Sequence, residues 1–177
     1  KLVMQLDYSV VKVQELAAAV LSHLVRDSSA NVEMIASQGG IPRLVALLDS
    51  TSMEAQAYSA AVLADLCQSN EPNHSAVMKA GSIPYLVQML SLGGFSDARA
   101  EAAGALGNLA FNRHWAGDAQ VAIVKAGAIQ PLVDLLKEEH HRAQRKAAVA
   151  VAHVVAGILE HQDSVRHAGG VECLVAL

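Results

Sequence analysis

The feature that most constrains this chain is one phrase spelled four times, in three ten-letter copies and one of nine letters. "GGIPRLVALL" at 39–48 returns as "GSIPYLVQML" from 81, "GAIQPLVDLL" from 127 and "GGVECLVAL" from 169. The marker glycines, Gly39, Gly81, Gly127 and Gly169, stand 42, 46 and 42 residues apart. A second marker lies in Ala-rich segments: "VLSHL", "VLADL", "ALGNL" and "AVAHV" end at Leu24, Leu66, Leu109 and Val154. Its variable polar letter is His23, Asp65, Asn108 and His153, at intervals of 42, 43 and 45. Two independent markers share nearly one period, which is the signature of a stacked repeat.

Each unit reads as three helices. A short one precedes the glycine, as in "NHSAVMKA" (73–80) and "DAQVAIVKA" (118–126). The glycine ends it, because a left-handed cap carries no Cβ penalty there. A second helix follows at once, with Pro42 and Pro84 in its first turn, where a missing N–H costs nothing. Ile41, Leu44, Val45 and Leu48 recur at i, i+3, i+4 and i+7, so one face is buried. The third helix is the longest, and a capping box from Thr51 to Glu54 is expected to start it in the first complete unit. One such unit cannot bury both apolar faces, whereas stacked neighbours can. Apolar faces are therefore expected to lie open at both ends.

Composition agrees with closely packed helices. The apolar share is 53% while aromatics make up 3%, so Ala, Val and Leu fill the core. A net charge of −4 argues against general affinity for nucleic acid or anionic membrane. Cys67 and Cys173 form no CxxC pair, as expected of buried thiols in a reducing compartment, the cytoplasm or the nucleus. The longest nearly apolar run, 147–159, is too short to span a bilayer. The chain has no initiator Met and stops inside "VECLVAL", which reads as a piece of something longer.

"KAGSIPYLVQML" and "EAAGALGNLA" carry a resemblance to the armadillo repeat, and it covers essentially the whole chain. In that register the chain holds the end of one repeat (1–27), repeats at about 28–69, 70–114 and 115–160, and the opening of another (161–177). The resemblance implies an all-α, right-handed superhelical solenoid whose third helices line a concave groove that binds proteins or peptides. In family members that grip a peptide backbone, an Asn near the end of each third helix does so. Asn108 alone matches; His23, Asp65 and His153 occupy the same position in the other units. The Trp slots that hold lysine stems in nuclear-import adaptors are here Ala19, Ala61, Gly104 and Val149.

Candidate binding residues lie where the copies disagree. His23, Asp65, Asn108 and His153 form a polar ladder able to bond a peptide main chain or, equally, local backbone groups. "HHRAQRK" (140–146) puts Arg142 and Lys146 where the preceding unit has Asp97 and Glu101, and Arg145 where it has Ala100, a change of sign that fits an acidic partner segment. Pairing of Arg142 with Glu138 or Glu139 would leave only a solvated face. "FNRHWAGDAQ" (111–120) is three residues longer than its counterparts and carries Arg113 and Trp115. Both are frequent hot-spot types, although a Trp can also fold down over its own loop.

The residues therefore point to a protein-binding scaffold or adaptor, with a groove that suits a helix or a flat surface as well as an extended peptide. No nucleophile–base–orienter set, P-loop or metal-ligand spacing is present, so no catalysis, cofactor or small-molecule substrate is expected. "GALG" (104–107) falls inside a helix, where its glycines serve close packing rather than phosphate binding. Two other roles fit the same letters: the substrate-recruiting part of a larger ubiquitin ligase, or a structural element of a large or membrane-anchored assembly.

Overall fold

The computed structural model describes residues 1–26, 28–68, 70–91, 95–111 and 116–176. Among them are thirteen helices and no strand. Two helices open the chain, α1 (Leu2–Gln5) and α2 (Val11–Leu24). A first complete triplet follows: α3 (Ser29–Ser37), α4 (Gly40–Leu47) and α5 (Met53–Cys67). The second is α6 (Glu71–Lys79), α7 (Ser82–Ser91) and α8 (Ser96–Leu109). The third is α9 (Gly117–Lys125), α10 (Ile129–Leu136) and α11 (His141–Val155). Finally come α12 (Leu159–His167) and α13 (Gly170–Val175).

The joints follow the expected chemistry. Gly39, Gly81, Gly127 and Gly169 have φ of 72°, 76°, 85° and 77°, so each short helix turns sharply into its successor. The second helices bury the predicted stripe: Ile41, Leu44, Val45 and Leu48 are buried, as are Leu86 and Leu132 at the matching place. The third helices, α2, α5, α8 and α11, stack each on the next, and these contacts form the spine of one continuous core. Gly107 lets the last two approach, since a Cβ there would lie 3.1 Å from the Ala150 Cα.

One local expectation is corrected. The cap of α5 is Ser52, not Thr51: its hydroxyl accepts from the Ala55 N–H at 3.1 Å. Glu54 does not complete a capping box, because the Ser52 N–H is already bonded to Ser50 Oγ at 3.2 Å and the Glu54 carboxylate accepts from the Ser52 hydroxyl instead.

Both ends of the stack expose apolar side chains. Val20 and Leu24 on α2 are exposed, while Val62 and Leu66, one repeat on, are fully buried. Val171, Leu174 and Val175 on α13 are likewise exposed, though their counterparts Ile129, Leu132 and Val133 are buried.

The two thiols differ in burial. Cys67 sits in the core, and burial pushes its pKa up to about 12. Cys173 is half-buried. A maleimide at pH 8 is expected to modify Cys173 in the native protein and Cys67 only after unfolding, because the thiolate is the nucleophile. Mass spectrometry checks this: two adducts under native conditions would contradict the burial of Cys67.

Candidate functional site

The third helices carry the residues whose identity varies between repeats, and their C-terminal ends hold the ladder. Asn108 Nδ2 donates to the Ala64 carbonyl at 2.9 Å, and His153 Nδ1 lies 2.9 Å from the Gly107 carbonyl. A carbonyl only accepts, so Nδ1 of His153 carries the proton. Ala64 and Gly107 belong to the last turns of α5 and α8, whose carbonyls lack intrahelical donors. Each of these two ladder side chains thus caps the third helix of the preceding repeat. The His153 ring also lies 4.7 Å from that of Phe111, tilted by 50°. His23 is exposed on the last turn of α2, and Asp65 is half-buried beside the groove.

A second set of caps escaped the reading of the sequence. Asn31 donates to the Leu24 carbonyl at 2.7 Å, and Gln120 donates to the His153 carbonyl at 2.7 Å. His74 Nε2 lies 2.8 Å from the Leu109 carbonyl and His161 Nδ1 lies 3.0 Å from that of Val154. These four stand seven or eight residues before the marker glycines, so the signal was present as a recurring polar letter in each first helix. It also accounts for two of the histidines. Among the described residues no three His, Cys, Asp or Glu side chains come together as a metal site.

The basic segment sits on the first turns of α11, directly against α8. Arg142 pairs with Asp97 at 3.0 Å and also with Glu101, and Lys146 Nζ donates to the other Glu101 oxygen at 2.6 Å. Glu101 is almost wholly buried, so both of its oxygens are held by cations of the next repeat. Gly104 leaves room for the Lys146 side chain here, since a Cβ there would lie 2.9 Å from Lys146 Nζ. Pairing of Arg142 with Glu138 does not occur: Glu138 is bonded to Arg99, whose Nε donates to the Leu90 carbonyl at 2.8 Å. Arg145 is exposed and forms no ion pair among the described residues.

Five of the predicted residues converge. Asp65, Asn108, Arg142, Arg145 and Lys146 line one depression of about 350 Å³ between α5, α8 and α11. His23 and His153 do not line it. Arg113 and Trp115 fall outside the described residues. Arg26, absent from the sequence-based candidates, also lines the depression and two neighbouring hollows, one larger and one smaller. It stands three places beyond the ladder, in register with Gln68 and Phe111.

Stacked three-helix units with Gly-centred joints define an α-solenoid. The family model for the armadillo/beta-catenin-like repeat matches residues 28–68, 70–111 and 118–156. The chain belongs to the armadillo-repeat family. Among solved structures, an engineered protein superposes with a TM-score of 0.89 at 31% identity, over 99% of this chain and 71% of that one. A computationally designed armadillo repeat protein for modular peptide recognition gives 0.87 at 26% identity, over 99% and 72%. A designed armadillo repeat protein in complex with the peptide (KR)4 gives 0.84 at 25%, over 99% and 72%. The search of curated proteins found no match.

Proposed function

We propose that this chain is a non-catalytic binding scaffold whose concave groove, along the third helices, takes an acidic segment of a partner protein. The observation that carries the reading is the lining of the depression: Arg26, Arg142, Arg145 and Lys146 against Asp65 and Glu101. Net positive charge in a cleft steers an anionic segment and sets its register more than it adds raw affinity. A designed relative was solved with the peptide (KR)4, the opposite charge. Positions 61, 104 and 149 of this groove carry Ala, Gly and Val, where nuclear-import adaptors are expected to hold lysine stems with Trp. The functional units in this reading are the repeats near 28–69, 70–114 and 115–160, working in the cytoplasm or nucleus.

Ladder side chains retain a part in this scheme. Asn108 spends one amide hydrogen on Ala64 and keeps its second hydrogen and its carbonyl oxygen for a main chain in the groove.

An array of short peptides tests the proposal, with Asp/Glu-rich, neutral and (KR)4 probes side by side. Acidic probes are expected to bind best, and Arg145→Glu is expected to weaken them about tenfold, the loss of a favourable contact becoming a repulsion. The variant's melting temperature should be unchanged, because Arg145 is exposed and supports no other side chain. Stronger binding of (KR)4, or acidic binding untouched by Arg145→Glu, would sink the reading.

A further inference from the structure

We propose that the depression between α5, α8 and α11 is a subsite for a dianionic side chain, a phosphorylated serine or threonine within the partner's acidic segment. This rests on the acidic-segment reading and sharpens it. Several charges in the depression are already satisfied by one another. Glu101 holds Arg142 on one oxygen and Lys146 on the other, and Arg142 is shared further with Asp97. Asp65 is itself already engaged.

Two guanidiniums remain. Arg26, just past the end of α2, and Arg145, on the second turn of α11, come from different repeats and line the same cavity. Both are exposed, and neither forms an ion pair among the described residues. Gln68 and Asn108 bring amide donors to the same wall.

A partner segment laid over this cavity strips water from both guanidiniums. One carboxylate would compensate one of them and leave the other desolvated without a counter-charge, which is costly. A phosphomonoester brings nearly two negative charges and three acceptor oxygens on a single side chain. Its oxygens can accept from two guanidiniums at once, each able to donate a pair of N–H bonds. Two separate carboxylates would have to be delivered by two side chains into one hollow of about 350 Å³.

Oriented libraries of short acidic peptides with a fixed central phosphoserine, serine or glutamate provide the experiment. The phosphoserine library is expected to be retained about tenfold more strongly than the glutamate library, as charge-assisted bidentate bonds exceed single ones. Arg26→Ala and Arg145→Ala should each abolish that preference while leaving the thermal melt unchanged. Equal retention of the phosphoserine and glutamate libraries, both above a neutral library, overturns this inference and leaves the acidic-segment reading standing. A phosphoserine preference that survives both arginine variants overturns the placement of the subsite. If no acidic library exceeds the neutral one, both readings fall together.

Discussion

Replacing Leu132 with alanine is expected to lower the unfolding free energy by about 3 kcal/mol, within the 2–5 kcal/mol span of buried Leu→Ala changes. Leu132 is fully buried on α10, which packs against α11, α7 and α13. Its truncation removes apolar contacts on several sides at once and leaves a cavity that the short second helix cannot close. In a solenoid, stability is close to a sum of repeat and nearest-neighbour contributions, so the damage should stay local. Hydrogen exchange should accelerate first in α10 and α11, while α2 and α5 keep more of their protection. Val175 supplies the control. It stands in register with the buried Val133 but is 84% exposed, so Val175→Ala should change stability by less than about 0.5 kcal/mol. Urea denaturation measures both variants. A Leu132→Ala midpoint equal to that of the parent would refute the burial of the second-helix stripe in the core.

The same register explains which parts of the structure were legible beforehand. Gly39, Gly81, Gly127 and Gly169 were readable because one backbone conformation needs one residue type. Leu44, Leu86 and Leu132 were readable because helical spacing and burial coincide. Ladder positions could be located by periodicity, but not the direction in which their side chains bond. Asn108 and His153 lie within reach of orphan carbonyls on the preceding helix, and an unsatisfied carbonyl competes strongly for any nearby donor. Spacing along one helix also could not foresee the partner of Arg142. Packed neighbouring helices bring Asp97 and Glu101 against it, while Glu138, closer in sequence, is taken by Arg99. Thr51 and Ser52 are equally good caps by letter, and only the extended backbone at Ser52 decides between them. Arg26 is not marked by periodicity because it lies past the end of α2, where helical spacing no longer applies.

The partner of Arg142 also separates two basic residues that look alike in the sequence. Reversing Lys146 is expected to destabilise the protein by about 3 kcal/mol, whereas reversing Arg145 is expected to leave stability unchanged. Lys146 holds one oxygen of the nearly buried Glu101, and its stem crosses the gap left by Gly104. Lys146→Glu would set a second carboxylate beside Glu101 in a site with little water to screen them. Arg142 would then face Asp97, Glu101 and the new carboxylate alone, and it cannot satisfy all three. The figure lies at the lower end of the range for breaking a buried pair, because Lys146 keeps some contact with solvent. A combined Arg145/Lys146 reversal therefore confounds binding with folding, and Arg145→Glu alone is the cleaner probe of the groove. Adding Glu101→Gln to Lys146→Glu should recover part of the loss, since it removes one of the opposed charges while keeping the side chain's shape. Thermal and urea unfolding of the three variants measures this. A Lys146→Glu protein that melts with the parent would show that Glu101 does not depend on Lys146, and that the link between α8 and α11 is made by packing at Gly107 and Ala150.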